Sequence, residues 1–202
     1  MKNILLLITF LFSMICNSQR KENYIEKGKA EMANQNFDEA IKVFTIGIDN
    51  NQRKTEGYFG RGLCYNLIKD YQKAVSDFEN SERLGNNDVK LFTLRAYAYS
   101  ELGKNELALN DLNKAILIDP DFYPKNYFNK ASLEIRLGRN DDAINDFTIY
   151  ADKTNDFIAY SERGKILLYQ NKKDDACKDF EKSIELGNQD KAVLELQKSN
   201  CH

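Results

Sequence analysis

Apolar residues recur along the chain at three- and four-residue intervals, in segments parted by short polar or glycine breaks. From Tyr58 to Ile68 the pattern keeps to one helical face, Lys69-Asp70 interrupts it, and Ala74 to Leu84 resumes it. This predicts a helix, a tight turn and an antiparallel helix. The beat returns in Ala40-Ile41-Lys42-Val43-Phe44, Ala74-Val75-Ser76-Asp77-Phe78, Ala108-Leu109-Asn110-Asp111-Leu112, Ala143-Ile144-Asn145-Asp146-Phe147 and Ala176-Cys177-Lys178-Asp179-Phe180. The alanines stand 34, 34, 35 and 33 residues apart, which is the signature of a repeat architecture. Twelve residues before each lies another small residue: Gly28, Gly62, Ala96, Ala131 and Gly164. Helices cross closely only where no large side chain holds the backbones apart, so these residues mark helix contacts. Gly103, Gly138 and Asn171 stand at the break within a unit, where a helix C-terminus favours a left-handed residue. Leu84-Gly85, Asp119-Pro120 and Leu186-Gly187 end second helices.

These markers resemble the tetratricopeptide repeat family, known for a helix-turn-helix unit of about 34 residues. The family's first aromatic position is filled by Tyr24, Tyr58, Phe92, Tyr127 and Tyr160, and its later one by Phe44, Phe78, Leu112, Phe147 and Phe180. Its closing proline matches only at Pro120. Lys27, Arg61, Arg95, Lys130 and Arg163 stand where the family usually shows leucine, a regularity that points to a variant subgroup. The resemblance covers residues 21 to 188 and implies an all-α fold, a right-handed α-solenoid of five repeats. Their expected spans are 21–54, 55–88, 89–123, 124–156 and 157–187. One linker residue is added near Asp121–Lys125 and one lost near Thr154–Phe157, so the superhelical pitch is expected to be irregular there. Residues 188–200 read as an amphipathic helix that caps the last apolar face.

Composition agrees with helices: two prolines, ten glycines and no tryptophan in 202 residues. Lys and Arg number 29 against 31 Asp and Glu, so no basic excess is present to neutralise a phosphate backbone, and nucleic acid is not the expected partner. The N-terminus changes the picture. Lys2 is followed by an apolar run from Ile4 to Ile15, shorter than the ~20 helical residues a bilayer core requires. It reads as a signal peptide over residues 1–18, cleaved after Ser18, leaving a repeat domain over 19–202. The alternatives are a lipoprotein signal, with Cys16 acylated, and a retained N-terminal anchor. Each places the body outside the cytoplasm, in the periplasm or cell envelope. No second transmembrane segment is expected after residue 18.

Candidate chemistry is sparse. The only histidine is His202, the last residue, so no Ser-His-Asp or Cys-His arrangement is expected on a rigid element. Asp141-Asp142 and Asp174-Asp175 fall in the first turn of second helices, where carboxylates favour the positive end of the dipole. No phosphate loop, dinucleotide fingerprint or EF-hand loop appears. The reading is therefore non-enzymatic, with no catalytic residue, metal or cofactor assigned. Cys64 is expected to be a small buried thiol. Cys177 takes the place of Ile41, Val75, Leu109 and Ile144, a face that packs on the next helix, here the cap. Cys177 lies ten residues before Gly187 and Cys201 thirteen after Asn188, arms of roughly 15 and 20 Å at about 1.5 Å per residue. A Cys177–Cys201 disulfide stands against two unbridged thiols.

In tetratricopeptide arrays first helices line the concave groove. The resemblance carries groove positions onto Ile25, Lys29 and Met32; Phe59, Leu63 and Asn66; Thr93, Tyr97 and Ser100; Phe128, Ser132 and Ile135; and Ser161, Lys165 and Leu168. Ile25, Phe59 and Thr93 occupy places where a clamp for a C-terminal carboxylate calls for polar or basic groups. The set suits a peptide bringing two or three apolar anchors. The expected function is an exported scaffold that binds a peptide segment of a protein partner or assembles an envelope complex. The alternative is a structural subunit of a permanent oligomer.

Overall fold

The computed structural model describes residues 22–201. The expected signal segment, its cleavage point and Cys16 lie outside the described residues, as does His202. Among the described residues there are eleven helices and no strand. They run in pairs: α1 (Tyr24–Ala33) with α2 (Phe37–Asp49), α3 (Lys54–Leu67) with α4 (Tyr71–Arg83), and α5 (Val89–Glu101) with α6 (Asn105–Ile118). Then come α7 (Lys125–Arg136) with α8 (Asn140–Thr154), α9 (Phe157–Tyr169) with α10 (Lys173–Glu185), and a single α11 (Lys191–Asn200). Each helix packs chiefly on its own partner and on the helix that follows, which makes the fold an α-solenoid.

Local chemistry sets the helix ends. Gln35, Lys69, Gly103, Gly138 and Asn171 share one register, and all are left-handed. Each closes a first helix the same way: the Gly103 N–H donates to the Ser100 carbonyl at 3.0 Å and the Lys104 N–H to the Tyr99 carbonyl at 2.8 Å. Asp88, Asp156 and Asp190 open α5, α9 and α11, each carboxylate accepting the N–H two residues on, at 2.8 to 2.9 Å. The cap thus begins at Lys191 rather than 188, because Asn188 and Asp190 are used in its entry turn.

Phe44, Phe78, Leu112, Phe147 and Phe180 are buried at the same register, one in the core of each repeat. The tight fit shows at Phe44, where a Cβ on Gly28 would fall 2.7 Å from the ring on one side and a Cβ on Gly60 2.5 Å on the other. Two first helices therefore close onto one aromatic ring, a contact that only glycine permits.

The regular basic residues that replace leucine have partners. Arg61 binds Asp77 through Nε at 2.8 Å and Nη2 at 2.9 Å, Arg95 binds Asp111 at 2.7 and 2.9 Å, and Arg163 binds Asp179 at 2.8 and 2.6 Å. Lys130 meets Asp146 at 2.5 Å. Each acid lies on the second helix of its repeat, 16 residues on. The first repeat has Val43 at this register, and Lys27 turns to Glu22 at 3.0 Å on the surface. Arg95 is 4% exposed. Burial works against its charge, and Asp111 and Glu82 more than offset it, holding its pKa above the ordinary arginine value.

At the C-terminus the sulfurs of Cys177 and Cys201 are bonded, 2.00 Å apart, with Cα atoms 5.5 Å apart. The bond ties α10 to the end of α11. Val193 on the inner face of α11 packs against Leu167, Ala176 and Phe180. Cys64 is a buried free thiol, and burial pushes it up to about 11.

Candidate functional site

The first-helix positions expected in the groove divide, by their packing, into a closed half and an open half. In the first two repeats most of the expected groove residues are buried or engaged within the fold. Ile25 is fully buried with Ala40, Phe44 and Cys64, held under Gly47 and Gly57, so it is a core residue and not a contact for a partner. Met32 packs on the edge of the same cluster. Lys29 is engaged by Glu26 at 3.0 Å and Glu56 at 2.9 Å. Asn66 is buried and donates to the Leu94 carbonyl at 3.0 Å, a link between α3 and α5 rather than a surface group. Phe59 lies against Phe78 with ring centroids 5.9 Å apart, and Leu63 is half-buried.

The later repeats open. Tyr97 is 48% exposed, its hydroxyl 3.3 Å from that of Tyr71. With Ser100, Phe128, Ser132 and Arg136 it lines a cleft of about 240 Å³ between α5 and α7. Phe128 forms the floor, its ring centroid 5.4 Å from both Phe147 and Tyr150. Arg136 donates to Ser100 at 3.3 Å across the cleft. A second cleft, about 410 Å³, lies between α7 and α9, walled by Ile135, Ile166 and Tyr169 and rimmed by the Glu162–Lys165 pair at 2.7 Å. Thr93 is used internally, accepting from Asn126 at 3.1 Å. Ser161 is buried and donates to the Ile158 carbonyl at 3.0 Å, so it too is no groove contact. Leu168 packs beside Leu167 and Phe180 toward the cap.

Of the residues expected in the groove, Tyr97, Ser100, Phe128, Ser132, Ile135 and Lys165 come together around these clefts. Sequence reasoning missed Arg136 and Tyr169, the latter 79% exposed. Both fall one residue after Ile135 and Leu168, at the rim of the first helix, and an aromatic left beside a polar turn was the available signal. The clefts offer shape, apolar walls and a few charges at the rim.

Residues 25–89 match one family model described as tetratricopeptide repeat, and residues 89–122 and 158–190 match a second of the same description. The chain belongs to the tetratricopeptide repeat family. The fourth pair, α7 and α8, falls between the matched segments. Sperm-associated antigen 1 of Homo sapiens is 28% identical over 145 residues, covering 72% of this chain and 14% of the relative. Protein STIP1 homolog of Dictyostelium discoideum is 34% identical over 95 residues, covering 47% of this chain and 16% of the relative. The chain thus spans about a seventh of the length of these curated relatives. A solved structure titled "Crystal structure of YrrB: a TPR protein with an unusual peptide-binding site" superposes with a TM-score of 0.81 at 18% identity, covering 93% of this chain and 97% of that one. That likeness establishes the fold. Tetratricopeptide arrays serve as scaffolds for protein–protein interaction, and this chain has that architecture. Among its described residues no helix is long and apolar enough to cross a membrane.

Proposed function

We propose that the protein is an exported, non-enzymatic scaffold that holds a peptide segment of a partner across α5, α7 and α9. The observation that carries this is the pair of neighbouring clefts on one face, the first built on Tyr97 and Phe128 and the second on Ile135 and Tyr169. A peptide with apolar anchors a few residues apart seats one anchor in each cleft, and its backbone polar groups meet Ser100, Ser132, Arg136 and Lys165 along the way. The peptide-binding site named in the YrrB title supports the reading, since that chain shares the architecture. Export is supported by Lys2 with the apolar run to Ile15, and by the Cys177–Cys201 bond, which persists in oxidising compartments.

A photo-crosslinking side chain placed at Tyr169, followed by identification of captured proteins, tests the groove directly. Tyr97→Ala and Tyr169→Ala are expected to weaken the captured partner by about tenfold or more, as loss of buried aromatic anchors does. Leu117→Ala, at a residue 86% exposed and away from both clefts, serves as the control. Undiminished capture by both tyrosine variants overturns the groove as the binding face.

A further inference from the structure

Lys130 stands where the second, third and fifth repeats carry Arg61, Arg95 and Arg163. In all three the guanidinium reaches beyond its own aspartate to the second helix of the preceding repeat, Arg95 Nη1 to Glu82 at 2.6 Å and the other two to a threonine. Arg61 Nη1 donates to Thr45 Oγ1 at 2.9 Å and Arg163 Nη1 to Thr148 Oγ1 at 2.8 Å, each hydroxyl on the second helix of the preceding repeat. The register of Thr45 and Thr148 falls on Asn113 of α6 for the fourth repeat. Lys130 does not cross to it: its ammonium is held within its own repeat by Asp146 at 2.5 Å and Glu134 at 3.0 Å. Lys130 and Asn113 instead line a common cleft of about 390 Å³, together with Asn110, Glu134 and Asp142.

Glu134 is the second departure of this repeat. At its register the second and third repeats place Tyr65 and Tyr99. Glu134 is 4% exposed, and its Oε2 accepts no hydrogen bond from the described residues. A buried carboxylate oxygen without a donor is unfavourable by the full loss of its hydration. The charges around it are unbalanced. Glu106 of α6 pairs with Arg139 at 2.7 Å at the cleft wall, α7 contributes Lys130 and Glu134, and α8 contributes Asp142 and Asp146. Four carboxylates thus face two cations, and the local field favours a further cation. A planar group with several N–H donors suits the lining better than a spherical ion, because it serves a carboxylate oxygen and side-chain amide oxygens at once.

We propose that this cleft binds a guanidinium group, which takes the place beside Asn113 at the register that Arg61 and Arg163 reach with Nη1, Lys130 keeping Asp146. The group belongs either to an arginine side chain of a partner docking on the face built by α6 and α8, or to a free alkylguanidinium. The charge state of Glu134 governs its strength. Burial pushes this carboxyl up to about 7, Lys130 opposing and Asp146 adding to the rise, so binding strengthens as pH climbs through that value and the carboxylate forms.

The test is titration of agmatine into the full chain at a pH about one unit above that value, followed by amide NMR. Expected are saturable shifts confined to the segments around Asn113, Glu134 and Asp142. Glu134→Gln is expected to weaken them by about tenfold through loss of the charged acceptor. Lys130→Arg is expected to abolish them, its own guanidinium occupying the place, with melting curves verifying that both variants are folded. A blocked Gly-Arg-Gly peptide distinguishes the sources: tighter binding than agmatine assigns a partner's arginine, weaker binding a free ligand. Equal shifts from tetramethylammonium at the same ionic strength, or agmatine binding unchanged in both variants, overturn the proposal.

Discussion

Arg95 shows what a single buried charge demands. Its guanidinium is enclosed by Asp111 at 2.7 and 2.9 Å and Glu82 at 2.6 Å, with Lys114 reaching the same glutamate at 3.0 Å. Removing one partner leaves the other charge stranded, so Asp111→Ala is expected to destabilise the fold by about 3 to 5 kcal/mol. The first repeat manages the same register with Val43, and a paired Arg95→Leu, Asp111→Val exchange is expected to fall much closer to neutral. Urea melts of the single and double variants separate the two outcomes. Glu134 makes a different residue-scale prediction. Its folded pKa of about 7 lies above the ordinary 4.5, so the proton it carries stabilises the native state at low pH. That contribution is full below about 4.5 and is lost as pH rises through about 7, a change of about 2 to 3 kcal/mol. Glu134→Gln is expected to flatten this slope, as melts taken at several pH values between these limits would reveal.

At the scale of elements, the last helix has the least support. Among the described residues no later helix packs on α11, and Val193 is its one buried side chain. The Cys177–Cys201 bond closes a separation of 24 residues, worth roughly 3 kcal/mol in the chain-entropy model. Cys177→Ser is therefore expected to lower stability by about that amount and to speed hydrogen exchange in α11 before the rest of the array, since terminal repeats open first. Exchange in α11 unchanged from the parent protein would show that packing alone holds the cap. The helix pairs themselves were legible in the sequence, because the alanine and glycine markers repeat in register and each break carries a turn residue. Gln35 and Lys69 were not legible as left-handed residues from their type. Their register with Gly103, Gly138 and Asn171 identifies them. The basic ladder was visible as a regularity, but its partners Asp77, Asp111, Asp146 and Asp179 emerge only when two helices fold back and bring positions 16 apart together.

For the whole molecule the groove is asymmetric. The first two repeats close on Phe44, while repeats three to five keep two clefts open beside Tyr97 and Tyr169. A partner that binds the groove is thus expected to protect α5, α7 and α9 from hydrogen exchange and to leave α1 unchanged. Protection centred on α1 and α3 would relocate the site. Export makes its own prediction: mass spectrometry of the protein recovered from its native cells is expected to find Gln19 as the first residue. A lipid on Cys16, or a chain still beginning at Met1, would replace that reading.

By itself the sequence determined the repeat number, the helix-turn-helix unit and the all-α fold, because these rest on local periodicity and residue chemistry. The family resemblance carried Tyr97, Phe128, Ile135 and Lys165 onto expected groove positions, and these four line the two clefts. Only the tertiary structure decided which of those positions stay accessible. Ile25 and Asn66 occupy the same registers as Phe128 and Ile135, yet both are buried, Ile25 under Gly47 and Gly57 and Asn66 against the Leu94 carbonyl of the next first helix. The distance between two packed helices depends on side chains from both, and no periodicity within either one contains it.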